Sequence, residues 1–92
     1  MSDSAKLSKI ALESGAIRLS PEKPFTWASG YKMPVYNDNR LLLGKEEYRS
    51  FISQIFARYS NASIKKLDVI AGTATAGIPH ATTLADRLKK PL

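Results

Sequence analysis

Apolar and polar positions alternate along this chain in patterns that change period several times, and each change marks an element. Leu7, Ile10 and Ala11 share one face of a short helix over 4–14, with Ser2, Asp3 or Ser4 available to cap its start and Gly15 to end it. Residues 16–19 alternate instead, with Ile17 and Leu19 on one side. The turn-forming run Ser20-Pro21-Glu22-Lys23-Pro24 then separates them from Phe25-Thr26-Trp27, which predicts two short strands. Ser29-Gly30 breaks the second, and 34–40 extends again. After Leu41, Leu42, Leu43 and Gly44, the series Tyr48, Phe51, Ile52, Ile55, Phe56 and Tyr59 predicts the most regular amphipathic helix of the chain. Glu46 and Glu47 lie in its first turn, Arg58 in its last, and Ser60-Asn61-Ala62-Ser63 ends it. An aromatic stripe at that spacing reads as core.

The closing stretch, 67–92, has the pattern on which the functional reading turns. Beyond Lys65-Lys66, the β-branched run Asp68-Val69-Ile70-Ala71 predicts a strand, which meets a loop of small residues, Gly72-Thr73-Ala74-Thr75-Ala76-Gly77. Ala81, Leu84, Ala85 and Leu88 then predict a helix, with Pro79 in the first turn, where its missing N–H is tolerated, and Lys89 and Lys90 closing the last. A loop without bulky side chains entering a helix N-terminus lets main-chain N–H groups surround an anion, so the amides of Thr73, Ala74, Thr75, Ala76 and Gly77 are candidate phosphate donors. Close packing at an ordinary strand-to-helix turn accounts for the same composition. The stronger nucleotide motifs are excluded: Ile78-Pro79 stands where a Walker loop carries Lys-Ser/Thr, and no G-x-G-x-x-G occurs.

In the extended run 34–40, Tyr36, Asp38 and Arg40 fall on one face if the alternation holds throughout. An aromatic ring, an acid and a guanidinium together can receive a planar anionic ring, and equally can form an Asp38–Arg40 pair at a strand end. His80 opens the last helix, where the dipole disfavours its protonated form, and no catalytic role is assigned to it.

Composition narrows the partners. The 92 residues form one small domain with 43% hydrophobic content, enough for a folded chain with a limited core. No cysteine is present, so neither disulfides nor thiolate metal sites arise, and no candidate metal ligands cluster. The formal charge of +6 favours anionic partners, but the basic residues are scattered and no zinc-finger or aromatic RNA-binding signature accompanies them, so nucleic acid is not expected. No apolar run approaches a membrane span and no signal-peptide pattern opens the chain, which gives the expectation of a cytoplasmic protein.

Two segments in order, FTWASGYKMPVYNDNR and IAGTATAGIPHATTLADRL, resemble the orotate-side segment and the pyrophosphate loop with its following helix in orotate phosphoribosyltransferases, of the type I phosphoribosyltransferase family. The resemblance runs from about Ala16 to the end of the chain. It implies an α/β fold: an amino-terminal helix-plus-strands unit (1–44) joined to the first helix, strand, loop and helix of a Rossmann-like parallel sheet (45–92). It also implies that Lys32, Tyr36, Asp38 and Arg40 lie on the base-binding side and that 73–77 hold pyrophosphate. Met33 and Ala28 depart from the serine and the lysine found at those places in parts of the family.

The same resemblance implies phosphoribosyl pyrophosphate and orotate as substrates, magnesium accompanying the former, and a homodimer. The mobile catalytic loop and the ribose-phosphate loop of the family are not found in these residues. The chain is therefore expected to be a truncated amino-terminal half, inactive alone, with its catalytic residues elsewhere. The rival from another class is a non-catalytic phosphoribosyltransferase-like module for nucleic-acid binding, regulation or oligomerisation.

Overall fold

The structure is a computed structural model in which residues 2–63 and 66–92 are described; Lys65 of the predicted basic doublet lies outside the described residues. The chain divides into two compact units, 1–42 and 43–92.

In the first unit, helix α1 (Asp3–Ser14) starts where Ser2 Oγ accepts the Ala5 N–H at 3.1 Å and stops at Gly15, whose φ of 81° is the left-handed conformation that glycine adopts without a Cβ penalty. Strand β1 (Ile17–Leu19) pairs antiparallel with β4 (Val35–Asn37), with Arg18 opposite Tyr36, and β2 (Phe25–Thr26) pairs with β3 (Lys32–Met33). The β2–β3 hairpin closes at Gly30, φ 92°, whose N–H bonds the Trp27 carbonyl at 2.8 Å. Ala16 is fully buried, and its carbonyl accepts both the Asp38 N–H at 2.6 Å and Asn37 Nδ2 at 3.0 Å. That double bond ties the far end of β4 to the end of α1.

The predicted extension through Arg40 fails after Asn37. Asp38 folds its carboxylate back so that Oδ1 accepts the Arg40 N–H at 3.1 Å, while the Asp38 carbonyl accepts the Leu41 N–H at 3.2 Å. A side-chain turn of this kind offers the backbone an alternative to the ladder, and a 3₁₀ helix (Asn39–Leu43) follows.

In the second unit, α2 (Glu46–Ser63) is longer than predicted: 60–63 contain no Gly or Pro and continue the helix. Tyr48, Phe51 and Ile52 are buried as expected, but Phe56 and Tyr59 are 51% and 59% exposed, so only the first half of the aromatic stripe is core. Helix α3 (Ile78–Leu88) carries Pro79 in its first turn and buries Ala81 and Ala85 against Ile70, with Leu67, Leu84 and Leu88 around them. It ends before Lys89, a left-handed cap residue, so Arg87 and not the two lysines supplies the charge of the last turn.

The strand predicted at 68–71 forms no ladder among the described residues. Its one backbone bond there runs from the Ile70 N–H to the Pro91 carbonyl at 2.9 Å, and a strand needs a paired neighbour along its length. No described helix is long and apolar enough to cross a membrane.

Candidate functional site

The small-residue loop of the second unit is shaped by two glycines whose importance is spatial. A Cβ at Gly72 would stand 2.7 Å from the Ala81 Cβ and 2.8 Å from the Gly77 carbonyl oxygen; one at Gly77 would stand 2.8 Å from the Thr73 oxygen and 3.0 Å from its nitrogen. Gly77 has φ −83°, which any residue adopts, so glycine is required here because the two arms of the loop touch. The Ala74–Thr75 peptide bond is cis.

Closing the loop consumes some of the expected donors. The Gly77 N–H donates to the Thr73 carbonyl at 2.8 Å and the Ile78 N–H to the Thr75 carbonyl at 3.3 Å. Gly77 therefore leaves the set of available amides: it is the hinge that shapes the loop. The N–H groups of Thr73, Ala74, Thr75 and Ala76 make no hydrogen bond among the described residues, and all four residues are exposed. No side chain caps α3. Four consecutive main-chain donors thus lead up to a helix N-terminus without a protein acceptor among the described residues, a composition that can receive an anion.

The other candidate residues belong to the first unit and behave differently. Asp38 and Arg40 form a two-pronged pair, Nε to Oδ1 and Nη2 to Oδ2, both at 2.8 Å. The hydrogen-bonded Arg40 side chain holds the Asp38 carboxyl below the usual carboxylate range, and Asp38 in turn raises Arg40. The acid and the base of this surface are thus bonded to each other in this structure. Tyr36 packs against Phe25, ring centres 5.7 Å apart. Lys32 is exposed at the strand position opposite Thr26, with no ion pair among the described residues.

One residue escaped sequence reasoning. The Arg18 guanidinium lies 5.1 Å from the centre of the Phe25 ring and 5.6 Å from that of Tyr36, and its charge helps to lower Asp38. Its place opposite Tyr36 depends on the β1–β4 register, which no local signal encodes. The aromatic, Asp38 and Arg40 part of the candidate surface therefore carries a second cation, and this one spans two rings.

No family model matches the chain. The orotate phosphoribosyltransferase of Lactococcus lactis subsp. cremoris (strain SK11) is 52% identical over 91 residues, covering 99% of this chain and 44% of its own. That of Listeria monocytogenes serovar 1/2a is 47% identical over 92 residues, covering 100% and 44%. Among solved structures, orotate phosphoribosyltransferase from Aeropyrum pernix matches with a TM-score of 0.76 at 34% identity, covering 94% of this chain and 50% of that one. The chain spans less than half the length of the curated relatives it matches. In sequence from end to end, and in fold over 94% of its length, the chain is similar to orotate phosphoribosyltransferases, matching the amino-terminal part of the curated relatives.

Proposed function

We propose that this chain carries the pyrophosphate-side and orotate-side portion of an enzyme that transfers a phosphoribosyl group from phosphoribosyl pyrophosphate to orotate, giving orotidine monophosphate and pyrophosphate in pyrimidine synthesis. The observation that carries the reading is the set of unpartnered amides at Thr73, Ala74, Thr75 and Ala76, in a chain whose relatives bear that enzyme's name.

The chemistry asks for such a loop. As the bond from the anomeric carbon to pyrophosphate breaks, positive charge gathers on the sugar, as in glycoside hydrolysis, and negative charge on the leaving group. Fixed main-chain donors aimed at that growing charge need not reorganise during the reaction, and one such donor contributes on the order of 3 kcal/mol in a pre-organised site. In this reading Lys32 and the Arg18–Tyr36–Asp38–Arg40 surface serve the base side. Among the described residues no three His, Cys, Asp or Glu side chains cluster to cage a metal ion. Magnesium, which the chemistry of a pyrophosphate substrate implies, would be held by the phosphates of that substrate. The 92 residues by themselves are expected to show no turnover, because holding both substrates in register takes more groups than they offer. A cytoplasmic homodimer is the setting this reading expects.

The loop is tested on the chain itself by following backbone amide resonances during titration with magnesium pyrophosphate. Saturable shifts at 73–76 are expected, and Ala76→Asp, which adds a carboxylate to an exposed position, should weaken binding by roughly tenfold or more. Absence of shifts at these amides, or equal affinity in the variant, overturns the assignment.

A further inference from the structure

The groove between α2 and α3 has no part in that reading. It is built from two helix faces: Glu46, Arg49, Ser50 and Ser53 on α2, and Thr83 and Arg87 on α3, lining an open space of about 420 Å³. The α2 residues recur at helical spacing, and Thr83 and Arg87 lie four apart, so each set is one continuous stripe.

Arg87 reaches across to α2. Its Nε donates to Ser53 Oγ at 2.7 Å, and its Nη2 to Ser50 Oγ at 3.2 Å and to the Ser50 carbonyl at 3.4 Å. Ser53, 3% exposed, donates its own hydroxyl hydrogen bond to the Ser50 carbonyl at 3.0 Å, which leaves its oxygen oriented to accept from the guanidinium. Arg49 is held in the same manner, Nη1 donating to the Leu43 carbonyl at 2.7 Å. Both side chains are thus oriented by neutral acceptors. Neither makes an ion pair among the described residues, and Glu46, on the same groove, makes none with them.

Neutral hydrogen bonds set a guanidinium's direction without cancelling its charge. Each guanidinium has five N–H donors in a rigid fork, and the bonds above leave Nη1 of Arg87 and both Nε and Nη2 of Arg49 uncommitted among the described residues. Pinning two helices would need only one of these arginines. Two in one groove, each pre-oriented and without an ion pair among the described residues, outnumber the single carboxylate of Glu46 that lines the groove with them, and the excess positive charge favours an anion. Tetrahedral oxyanions match the fork in pairs of parallel bonds, and the space exceeds that of a bare phosphate.

We infer that the α2–α3 groove binds the phosphate group of inorganic phosphate or of a small phosphate monoester between Arg49 and Arg87, with the Ser50 hydroxyl as a further donor. The site is separate from the 73–76 amides and does not depend on their role.

The test titrates the 92-residue chain with inorganic phosphate and, separately, with glycerol 3-phosphate, reading the arginine Nε–H and backbone amide resonances. Saturable shifts at Arg49, Ser50, Ser53 and Arg87 are expected; tighter binding of the ester than of free phosphate identifies the monoester as the ligand, and the reverse identifies the free ion. Arg49→Gln should weaken the fitted affinity by about tenfold and Glu46→Gln should strengthen it a few-fold. Arg87→Gln should act like Arg49→Gln; because it also removes the Ser53 contact, the Arg49 variant decides the matter if Arg87→Gln unfolds. The inference is overturned by the absence of a saturable shift up to about 10 mM, a range that admits even millimolar binding. It is equally overturned by shifts confined to 73–76, by affinity unchanged in Arg49→Gln, or by an oligonucleotide duplex engaging both arginines where phosphate and its ester do not.

Discussion

The loop 72–77 and the turn that follows β4 are both polar, both exposed in large part, and both adjacent to a helix start, yet they end in opposite conditions. At the turn the polar groups sit on long side chains, and they have found one another: Asp38 takes both prongs of Arg40, and Arg18 lies on Phe25 and Tyr36. At the loop the polar groups belong to the main chain, and among the described residues neither a carbonyl nor a side chain accepts from the N–H groups of Thr73, Ala74, Thr75 and Ala76. Charged side chains on flexible stems pair locally whenever they can; amides on a closed loop cannot turn toward a partner. A ligand site made of side chains must therefore hold its charges apart, whereas one made of backbone has only to keep bulk away.

The largest effect should come from adding that bulk. Gly72→Val places a branched side chain where even the Cβ meets Ala81 at 2.7 Å and the Gly77 oxygen at 2.8 Å. Both neighbours are tied to the start of α3, so relief requires moving the helix, and overpacking of this kind costs about 1–3 kcal/mol. Urea unfolding measures it. Gly77→Ala should show a smaller loss through its contact with the Thr73 backbone, while Ala76→Ser, on an exposed side, should be neutral. Full stability in both glycine variants would remove close approach as the loop's organising constraint.

What could be read from the chain beforehand follows the same division between local and distant causes. A cap among Ser2, Asp3 and Ser4, the stop at Gly15, the break at Ser29-Gly30 and the inner face of α3 are set by neighbouring residues and are legible in the sequence; the choice of Ser2 as cap and the short strand β3 that turns the break into a hairpin are not. The glycine-bounded loop was legible as a loop. That Gly77 spends its own amide on Thr73 was not, since this depends on how the arms close. Arg18 was missed because its rings come from β2 and β4, brought beside it by pairing register. Residues 68–71 have the composition of a strand, but a ladder belongs to two segments and the composition to one. The exit of 38–40 from extended structure has a local signal in Asn37-Asp38-Asn39, a run of turn formers that competes with the alternation of positions over the same residues.

A smaller effect is expected at Arg18. Removing a guanidinium from two ring faces at exposed sites costs about 0.5–1 kcal/mol, so Arg18→Ala should lower the unfolding midpoint modestly and shift the ring resonances of Phe25 and Tyr36. Arg18→Lys should recover part of this, since an ammonium keeps the charge but loses the flat stacking surface. If alanine leaves the ring resonances in place, the cation does not rest there in solution, and the contrast between self-satisfied side chains and open backbone weakens at its aromatic end.

The smallest change in stability, and the most exacting test of the contrast, is Arg40→Gln. An exposed ion pair adds little to folding, so thermal unfolding at neutral pH should barely move. The titration of Asp38 should move clearly. Hydrogen bonding to Arg40 stabilises the charged carboxylate, so its folded pKa lies below the unfolded value of about 3.9. The pair's contribution is then fully present above that unfolded value and is lost as pH falls through the lower, folded one. In Arg40→Gln the carboxyl resonance should titrate nearer the ordinary carboxylate range, with a residual depression from the backbone N–H of residue 40, which the substitution keeps, and a smaller one from Arg18 that the Arg18→Ala, Arg40→Gln double variant removes. If instead Asp38 titrates alike with and without Arg40, the two-pronged pair is not held in solution. Arg40 would then be a free cation beside Tyr36, and the turn would offer an anion the same open charge that the loop offers through its amides.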